Sequence, residues 1–169
     1  MASVAFAEIE HEFLDRIKNT VWCTFATVDR KGRPRSRILH PIWEGPIGWI
    51  LTGRNTLKAK HIANNPYVSL TYWDQSHKQV YADCRADWVN DIPTRQHVWD
   101  LFKNTPPPLG YDPSLFFPGS DHPETGLLKL TPWRIELFSI ERLAKGEGPL
   151  IWRPESENHR SHASAASSQ

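Results

Sequence analysis

Two basic segments of the chain could together bind a phosphate group, and the first contains Arg35 and Arg37. They follow the turn at residues 32–34 and lie two positions apart. In an extended strand, residues two apart point to the same face, so both guanidinium groups are expected on one side. A guanidinium mounted on a strand is a rigid donor that suits a phosphate. Considered alone, the cluster is more typical of a solvated turn and strand edge.

The second basic segment combines Thr52, Gly53, Thr56 and Lys58. A strand is predicted to end near Thr52, and a helix capped by Asn55 or Thr56 would begin next and carry Lys58. Free backbone N–H groups and the helix dipole favour an anion at such a helix start. The spacing is not that of a Walker loop, so a nucleoside triphosphate is not expected. Without Arg37, an ordinary helix cap would be the simpler interpretation.

Gln79 is a candidate for recognition of a planar heterocycle, because its head group both donates and accepts hydrogen bonds. The sequence has no Ser/His/Asp or Cys/His arrangement that would supply a nucleophile. Cys23 and Cys84 lack the spacing of metal ligands. We therefore expect no catalytic residue and no metal ligand of the chain's own.

Strands and short helices must position these residues. Apolar spacing predicts an N-terminal amphipathic helix over residues 7–18. A segment rich in Pro and Gly, residues 105–125, is expected to be an irregular loop with a functional or interfacial role. Further helices are predicted at 56–63 and after Asp91, and strands at 21–28, 35–43, 48–52, 67–73, 79–89, 127–130 and 134–140. This order predicts a mainly β fold with helical inserts, as in an antiparallel barrel.

The composition limits the classes of function. The chain has 169 residues, of which 39% are hydrophobic and 23% charged, as in soluble globular proteins. Its formal net charge of +1 argues against nucleic acid and anionic membranes as partners. No apolar run approaches the ~20 residues of a membrane helix, and two cysteines in strand-like runs fit a reducing compartment. We expect one domain over residues 1–153, a disordered polar tail over 154–169, and a cytoplasmic location.

Several short segments of the chain are each too common to identify a family, but their combination is specific. They are Gly32-Arg33-Pro34-Arg35-Ser36-Arg37, Trp49-Ile50-Leu51-Thr52, Asn55-Thr56-Leu57-Lys58, His77-Lys78-Gln79-Val80 and Pro132-Trp133-Arg134-Ile135-Glu136-Leu137-Phe138. In this order they resemble the FMN-binding split barrel of the pyridoxamine 5'-phosphate oxidase family, in particular its general-stress-protein branch. The resemblance covers roughly Val21 to Leu143.

The resemblance implies a six-stranded antiparallel split β-barrel that binds FMN and forms a homodimer with its two cofactor sites at the subunit interface. In the family, the residues that match Arg37 and Lys58 hold the FMN phosphate, and those that match Thr52 and Thr56 contact the same end. The flavin ring would be contacted by Gln79 and by the backbone at Ile38 and Leu39. The remaining expected cofactor contacts are Arg35, Leu51, Leu57 and Trp133.

The chain also departs from the family. Ile42 stands where true pyridoxamine phosphate oxidases have a Lys, and residues 142–145 replace their C-terminal Arg-Leu-His-Asp-Arg signature, with Ala144 in place of the His. The resemblance therefore predicts an FMN-dependent oxidoreductase of another small molecule, with a nicotinamide as a candidate reductant. The alternatives are a deazaflavin-dependent reductase with a wider basic groove and a non-catalytic flavin- or haem-binding stress-related module. Arg33, Arg35, Arg54 and Lys60 could line such a groove.

Overall fold

The computed structural model describes residues 3–155. Of the tail predicted over residues 154–169, all but the first two residues lie outside the described residues. The helices are α1 (Phe6–Thr20), α2 (Leu57–Asn64), α3 (Ile92–Asn104) and α4 (Ile140–Ala144). The strands are β1 (Cys23–Val28), β2 (Pro34–Leu39), β3 (Ile42–Glu44), β4 (Ile47–Gly53), β5 (Tyr67–Trp73), β6 (Lys78–Val89), β7 (Thr125–Ser139) and β8 (Leu150–Trp152).

The strands form one antiparallel sheet in the order β2-β1-β5-β6-β7-β4-β3, and β8 pairs with β7. The mainly antiparallel β architecture with few helices is confirmed. The sheet has eight strands rather than six, and it does not close, because β2 and β3 are its two ends. The N-terminal helix is also longer than predicted, since it extends over Phe6–Thr20 instead of 7–18.

Two strand boundaries differ from the prediction for local reasons. The strand expected over 35–43 is divided into β2 and β3 at His40 and Pro41. Conversely, β7 continues through Pro132, where two separate strands were expected. The pairing of β6 with β7 shifts register between Asp83 and Cys84, opposite this proline. A register shift of this kind tolerates a residue without an N–H, so the proline does not end the strand.

The main core lies between α1 and the inner face of the sheet. Ile9, Phe13 and Ile17 of α1 are buried at helical spacing and pack against the inward residues of β1, β5, β6 and β7. The ring of Phe13 packs edge-on to Trp43 at 5.1 Å. The indole of Trp43 donates a hydrogen bond to the buried Tyr72 hydroxyl at 2.9 Å, so this polar atom is satisfied inside the core.

A second apolar cluster forms where α3 packs against β3, β4 and β7. It contains Ile42, Trp49, Leu51, Val98, Trp99, Phe102 and Leu127. The segment predicted as an irregular loop over 105–125 is ordered against this cluster and contains a short 3-10 helix at Pro113–Leu115. Gly110 makes the close approach possible, because a Cβ there would lie 1.7 Å from the Thr105 carbonyl oxygen.

A buried cation fastens α1 to the sheet. Arg16 is almost fully buried, and its Nη1 donates to the carbonyls of Gln79 and Phe138, each at 2.6 Å. These two residues pair across β6 and β7, and Glu12 forms an ion pair with the same guanidinium. Hydrogen bonds from a charged donor are stronger than neutral ones, so Arg16 ties one helix to two strands at once.

We expect Arg16→Met to lower the free energy of unfolding by about 1.5–3 kcal/mol, because two main-chain carbonyls lose a charged donor while the apolar stem is largely kept. Lys18→Met is the matched control, since Lys18 lies on the same helix and is exposed. Its effect should stay below about 0.5 kcal/mol. Urea unfolding of both variants measures the difference, and equal midpoints would refute this role for Arg16.

Candidate cofactor site

Strand β2 and the start of α2 enclose a small basic cavity of about 270 Å³. Its lining consists of Arg35, Ser36, Arg37, Thr56, Leu57 and Lys58. The structure thus brings together five of the residues predicted to bind a cofactor, although they come from two segments about twenty positions apart in the chain. Thr56 caps α2 as predicted, because its hydroxyl accepts a hydrogen bond from the Ala59 N–H at 3.4 Å.

Arg37 is held by a main-chain acceptor and a side-chain acceptor on β1. It pairs with Phe25 across β1 and β2, so it points to the same side as that core residue. Its Nη1 donates to the Thr27 hydroxyl at 2.9 Å and to the Phe25 carbonyl at 3.4 Å. Its Nη2 is buried and has no hydrogen-bond partner within residues 3–155. A buried charged donor without an acceptor is costly, so this atom is suited to a ligand oxygen.

Lys58 is the second cation of the cavity. It is 9% exposed, and its Nζ donates to the Thr56 hydroxyl at 3.2 Å. Burial lowers the pKa of Lys58, and the neighbouring Arg37 cation lowers it further. Burial and the charge of Arg35 lower the pKa of Arg37 in the same way. The cavity therefore holds two cations whose charged forms are made less stable by burial and by the neighbouring positive charge.

These cations have no acidic partner in the part of the chain that the structure describes. The ion pairs formed within residues 3–155 include none of Arg35, Arg37 and Lys58. Like charges held together without a counterion destabilise a fold unless an anion binds between them. The arrangement fits a phosphate group, which would accept hydrogen bonds from the orphaned Arg37 Nη2 and from Lys58.

Two further residues support the site and were missed in the sequence analysis. Thr27 is fully buried, and its hydroxyl lies 2.9 Å from Nδ1 of His61 on α2. Since this hydroxyl accepts from Arg37, its own proton is available for His61 Nδ1. Thr27 lies at an inward position of β1, and His61 follows Lys58 by three residues on α2. Strand alternation and helical spacing in the sequence could therefore have indicated both residues.

A larger apolar pocket of about 420 Å³ follows the basic cavity along β2. Ile38 and Leu39, two of the predicted ring contacts, line it with Leu51, a further predicted cofactor contact. The rest of the lining consists of Trp22, His40, Pro108, Gly110, Tyr111, Phe116 and Phe117. A strand rises by about 3.3 Å per residue, so Arg37 and Leu39 are separated by about 7 Å along β2. One strand therefore carries a basic cavity and an apolar pocket in sequence, as a phosphorylated planar ligand requires.

The remaining predicted residues line neither the cavity nor the pocket. Thr52 is buried in β4, where it pairs with Gly126 of β7. Gln79 lies on β6, and its Oε1 accepts a hydrogen bond from the Tyr81 hydroxyl at 2.7 Å. Trp133 lies beside the register shift of β7, and its buried Nε1 has no hydrogen-bond partner among the described residues. A single chain thus brings together the residues predicted to bind the cofactor phosphate and some of those predicted to contact the cofactor ring.

Other reactive groups of the described residues are structural. Cys23 and Cys84 are both buried and free, and burial raises the pKa of the Cys23 thiol to about 12. Within residues 3–155 no group of three or more His, Cys, Asp or Glu side chains could hold a metal ion. None of the helices in that range combines the length and apolar character needed to span a membrane.

Comparison with known proteins gives one curated relative and several similar structures. The relative is a pyridoxine/pyridoxamine 5'-phosphate oxidase of Pseudomonas entomophila, 33% identical over 92 residues. That match covers 50% of this chain and 43% of the relative, so the chain matches less than half of the relative's length.

Two solved structures show the same fold. A Clostridium acetobutylicum protein related to general stress protein 26 superposes with a TM-score of 0.68 at 12% identity, over 91% of this chain and 99% of its own. A pyridoxamine 5'-phosphate oxidase-related, FMN-binding protein of Nostoc punctiforme superposes with a TM-score of 0.60 at 16% identity, over 82% and 86% of the two chains. At such identities the likeness concerns the fold alone.

The family itself is established by sequence. Residues 9–137, well over half of the chain, match the sequence profile described as pyridoxamine 5'-phosphate oxidase. This range contains β1 to β6, α2, α3 and most of β7, and therefore both cavities along β2. The chain belongs to the pyridoxamine 5'-phosphate oxidase family, within the group of flavin-type oxidoreductase folds.

Proposed function

We propose that the protein is an FMN-dependent oxidoreductase. The observation that carries this proposal is the pair of cations formed by the half-buried Arg37 of β2 and the buried Lys58 of α2, which lack an acidic partner within residues 3–155. An apolar pocket lies beside them along β2. A phosphate group would neutralise the cations, and a planar ring would occupy the apolar side. FMN joins the two in one molecule.

The residues present can be assigned to the parts of FMN. Arg37, Lys58 and the Thr56 hydroxyl would bind the phosphate, and Arg35 would add positive charge at the rim of the cavity. Ile38, Leu39 and Leu51 would pack against the ring and exclude water from it. When bound, FMN supplies hydride transfer, which no side chain of the protein can perform. The protein's own contribution is binding, orientation and a low-dielectric surrounding.

The alternative cofactor, a deazaflavin, would need a wider basic groove. Two of the four cations considered for that groove already have protein partners. Arg33 forms an ion pair with Asp29 at 2.7 Å, and Arg54 donates to the Asn90 side chain at 2.6 Å. Of the other two, Arg35 lines the small cavity with Arg37 and Lys58, whereas Lys60 lines a separate cavity with Arg54, and this division of the charge supports the smaller FMN. The absorption spectrum of the purified protein distinguishes the two cofactors directly.

The substrate is proposed to differ from pyridoxamine phosphate. Ile42, at the position where the family resemblance places a Lys, is buried in the apolar cluster with Trp49 and Val98. Ala144, at the position of the signature His, lies exposed on α4. Neither residue can bind the phosphate or the ring of that vitamin.

A homodimer is proposed as the functional form. Four large apolar side chains on the outward side of β1, β2 and β5 are exposed, namely Trp22 (56%), Ile38 (62%), Tyr67 (57%) and Trp73 (58%). Exposed apolar patches of this kind are typical of protein interfaces. A partner covering this face would also explain how Gln79 and Trp133, predicted cofactor contacts that line neither cavity, could take part in a site.

We expect Arg37→Ala and Lys58→Ala each to weaken FMN binding by roughly one to two orders of magnitude, since each removes a charged hydrogen bond worth ~1.5–3 kcal/mol. Riboflavin, which lacks the phosphate, should lose little affinity in the same variants. Lys31→Ala is the control, because Lys31 lies on the exposed turn before β2. Fluorescence titration measures the three affinities, and FMN binding equal to that of Lys31→Ala would exclude the assigned phosphate site.

With pyridoxamine phosphate as substrate, we expect negligible hydrogen peroxide production by the FMN-loaded protein. The physical reason is the apolar burial of Ile42, which leaves no cation at that position for the substrate phosphate. A coupled peroxidase assay measures the rate, with an authentic pyridoxamine phosphate oxidase as the positive control. Efficient turnover would show that another part of the chain supplies the missing contacts.

Light scattering coupled to size-exclusion chromatography should give the mass of a dimer. Trp73→Glu should shift this mass towards the monomer, because it places a charge on the exposed apolar face of the sheet. Leu143→Glu is the matched control, since Leu143 is equally exposed (59%) but lies on α4. A monomer at micromolar concentration with FMN bound would contradict the proposed interface.

A further inference from the structure

The apolar pocket has one wall that the proposed cofactor does not account for. This aromatic wall consists of Pro108, Tyr111, Phe116 and Phe117, all from the segment between α3 and β7. The pocket's opposite side is formed by the β2 and β4 residues assigned to the flavin ring. The wall is therefore a separate feature of this chain that faces the same space.

Main-chain hydrogen bonds hold the aromatic wall in place. The Tyr111 N–H donates to the carbonyl of Phe102 on α3 at 2.9 Å, and the Phe117 N–H donates to the Pro113 carbonyl at 2.9 Å. Tyr111 and Phe117 also pack against the apolar cluster beneath α3. The wall is thus a built surface rather than a free loop, and its side chains are preorganised for a ligand.

The chemistry of the pocket selects for an uncharged, flat ligand. No Asp, Glu, Lys or Arg is among its lining residues. His40 donates from Nε2 to the Leu109 carbonyl at 2.8 Å, and burial lowers the pKa of this imidazole. The rings of Tyr111 and Phe116 meet edge to face at 5.6 Å, an arrangement in which aromatic surfaces offer stacking contacts. A charged group would lose its hydration here without gaining a partner.

One polar atom in the wall is free to recognise a ligand. The Tyr111 hydroxyl makes no hydrogen bond to any residue that the structure describes, whereas its ring is fixed by Phe102 at 5.0 Å and His40 at 5.2 Å. Burial raises the pKa of Tyr111 to about 12, so the phenol remains a proton donor in hydrogen bonds at neutral pH. Its natural complement is a carbonyl oxygen.

We propose that this pocket binds uncharged, planar aromatic carbonyl compounds as the substrate class of the enzyme, stacked on the aromatic wall and hydrogen-bonded to Tyr111. The inference rests on the proposed function, because FMN would occupy the Ile38, Leu39 and Leu51 side of the same pocket. A volume of about 420 Å³ is in the usual range for a small-molecule site. Phosphorylated and carboxylated analogues are excluded by the lack of any cationic side chain in the lining.

The experiment compares two probes of the same shape in equilibrium dialysis against the FMN-loaded full chain. The first is 2-acetonaphthone, an uncharged bicyclic ketone, and the second is 2-naphthoate, its anionic counterpart. We expect the ketone to bind and the carboxylate to bind at least about tenfold more weakly, because its charge would be desolvated. Equal affinities of the two probes would overturn the proposal.

Matched variants locate the binding. Phe116→Ala removes a ring of the wall and Tyr111→Phe removes only the hydroxyl, and each should weaken ketone binding by about five- to tenfold. Leu115→Ala is the control, because Leu115 is adjacent to Phe116 and as exposed (73% against 69%) but does not line the pocket. Ketone affinity that is the same in all three variants would place the probe elsewhere and refute the site.

The same assay separates this inference from the proposed function. If the chain takes up no FMN, the proposed function fails, and the ketone is then measured against the chain as purified, where the Phe116 and Leu115 variants still decide the pocket. If FMN binds and displaces the ketone, the pocket is the ring site alone and the inference fails while the proposed function stands.

Discussion

Two neighbouring cations, the buried Lys58 and the half-buried Arg37, are the physical constraint on which the site depends. Arg37 and Lys58 repel each other and lose hydration, and both effects lower the pKa of Lys58. A fold retains such a pair only when neighbouring contacts fix the side chains and when a ligand returns the lost electrostatic energy. The Thr27 hydroxyl and the Phe25 carbonyl supply the fixing contacts on one side, and the Thr56 cap supplies them on the other. This arrangement supports the proposal that the ligand carries an anionic group.

The elements around this pair of cations hold it in position. Thr27 on β1 lies between Arg37 on β2 and His61 on α2, so one hydroxyl connects the edge strand to the helix. β1 in turn pairs with both β2 and β5. The inward residues of β5, Val68, Leu70 and Tyr72, belong to the main core. Because β2 is the end strand of the sheet, its arginines also discourage pairing with another sheet edge. Under the proposed function the same arginines would bind the anion and also protect the edge of the sheet.

The parts of this structure that local patterns determine were predictable. Alternation placed Arg35 and Arg37 on one face, and the Thr56 cap with Lys58 followed from the usual signals of a helix start. What could not be predicted depends on contacts between distant segments. The course of β7 through Pro132 requires a register shift against β6, and the order of the 105–125 segment requires its packing on α3. The Thr27 to His61 hydrogen bond likewise joins residues 34 positions apart.

The substrate end of the proposed site depends on the apolar cluster beneath α3. Ile42, at the position where the family resemblance places a Lys, is buried in the cluster that supports Tyr111 and Phe117. A lysine at position 42 would bring an unpaired cation into that cluster and would loosen the aromatic wall above it. The apolar side chain at position 42 and the aromatic wall of the pocket therefore belong to one packing arrangement. The basic cavity on β2 shares no residue with this cluster, so under the proposed function the phosphate end would not depend on the chemistry of the substrate end.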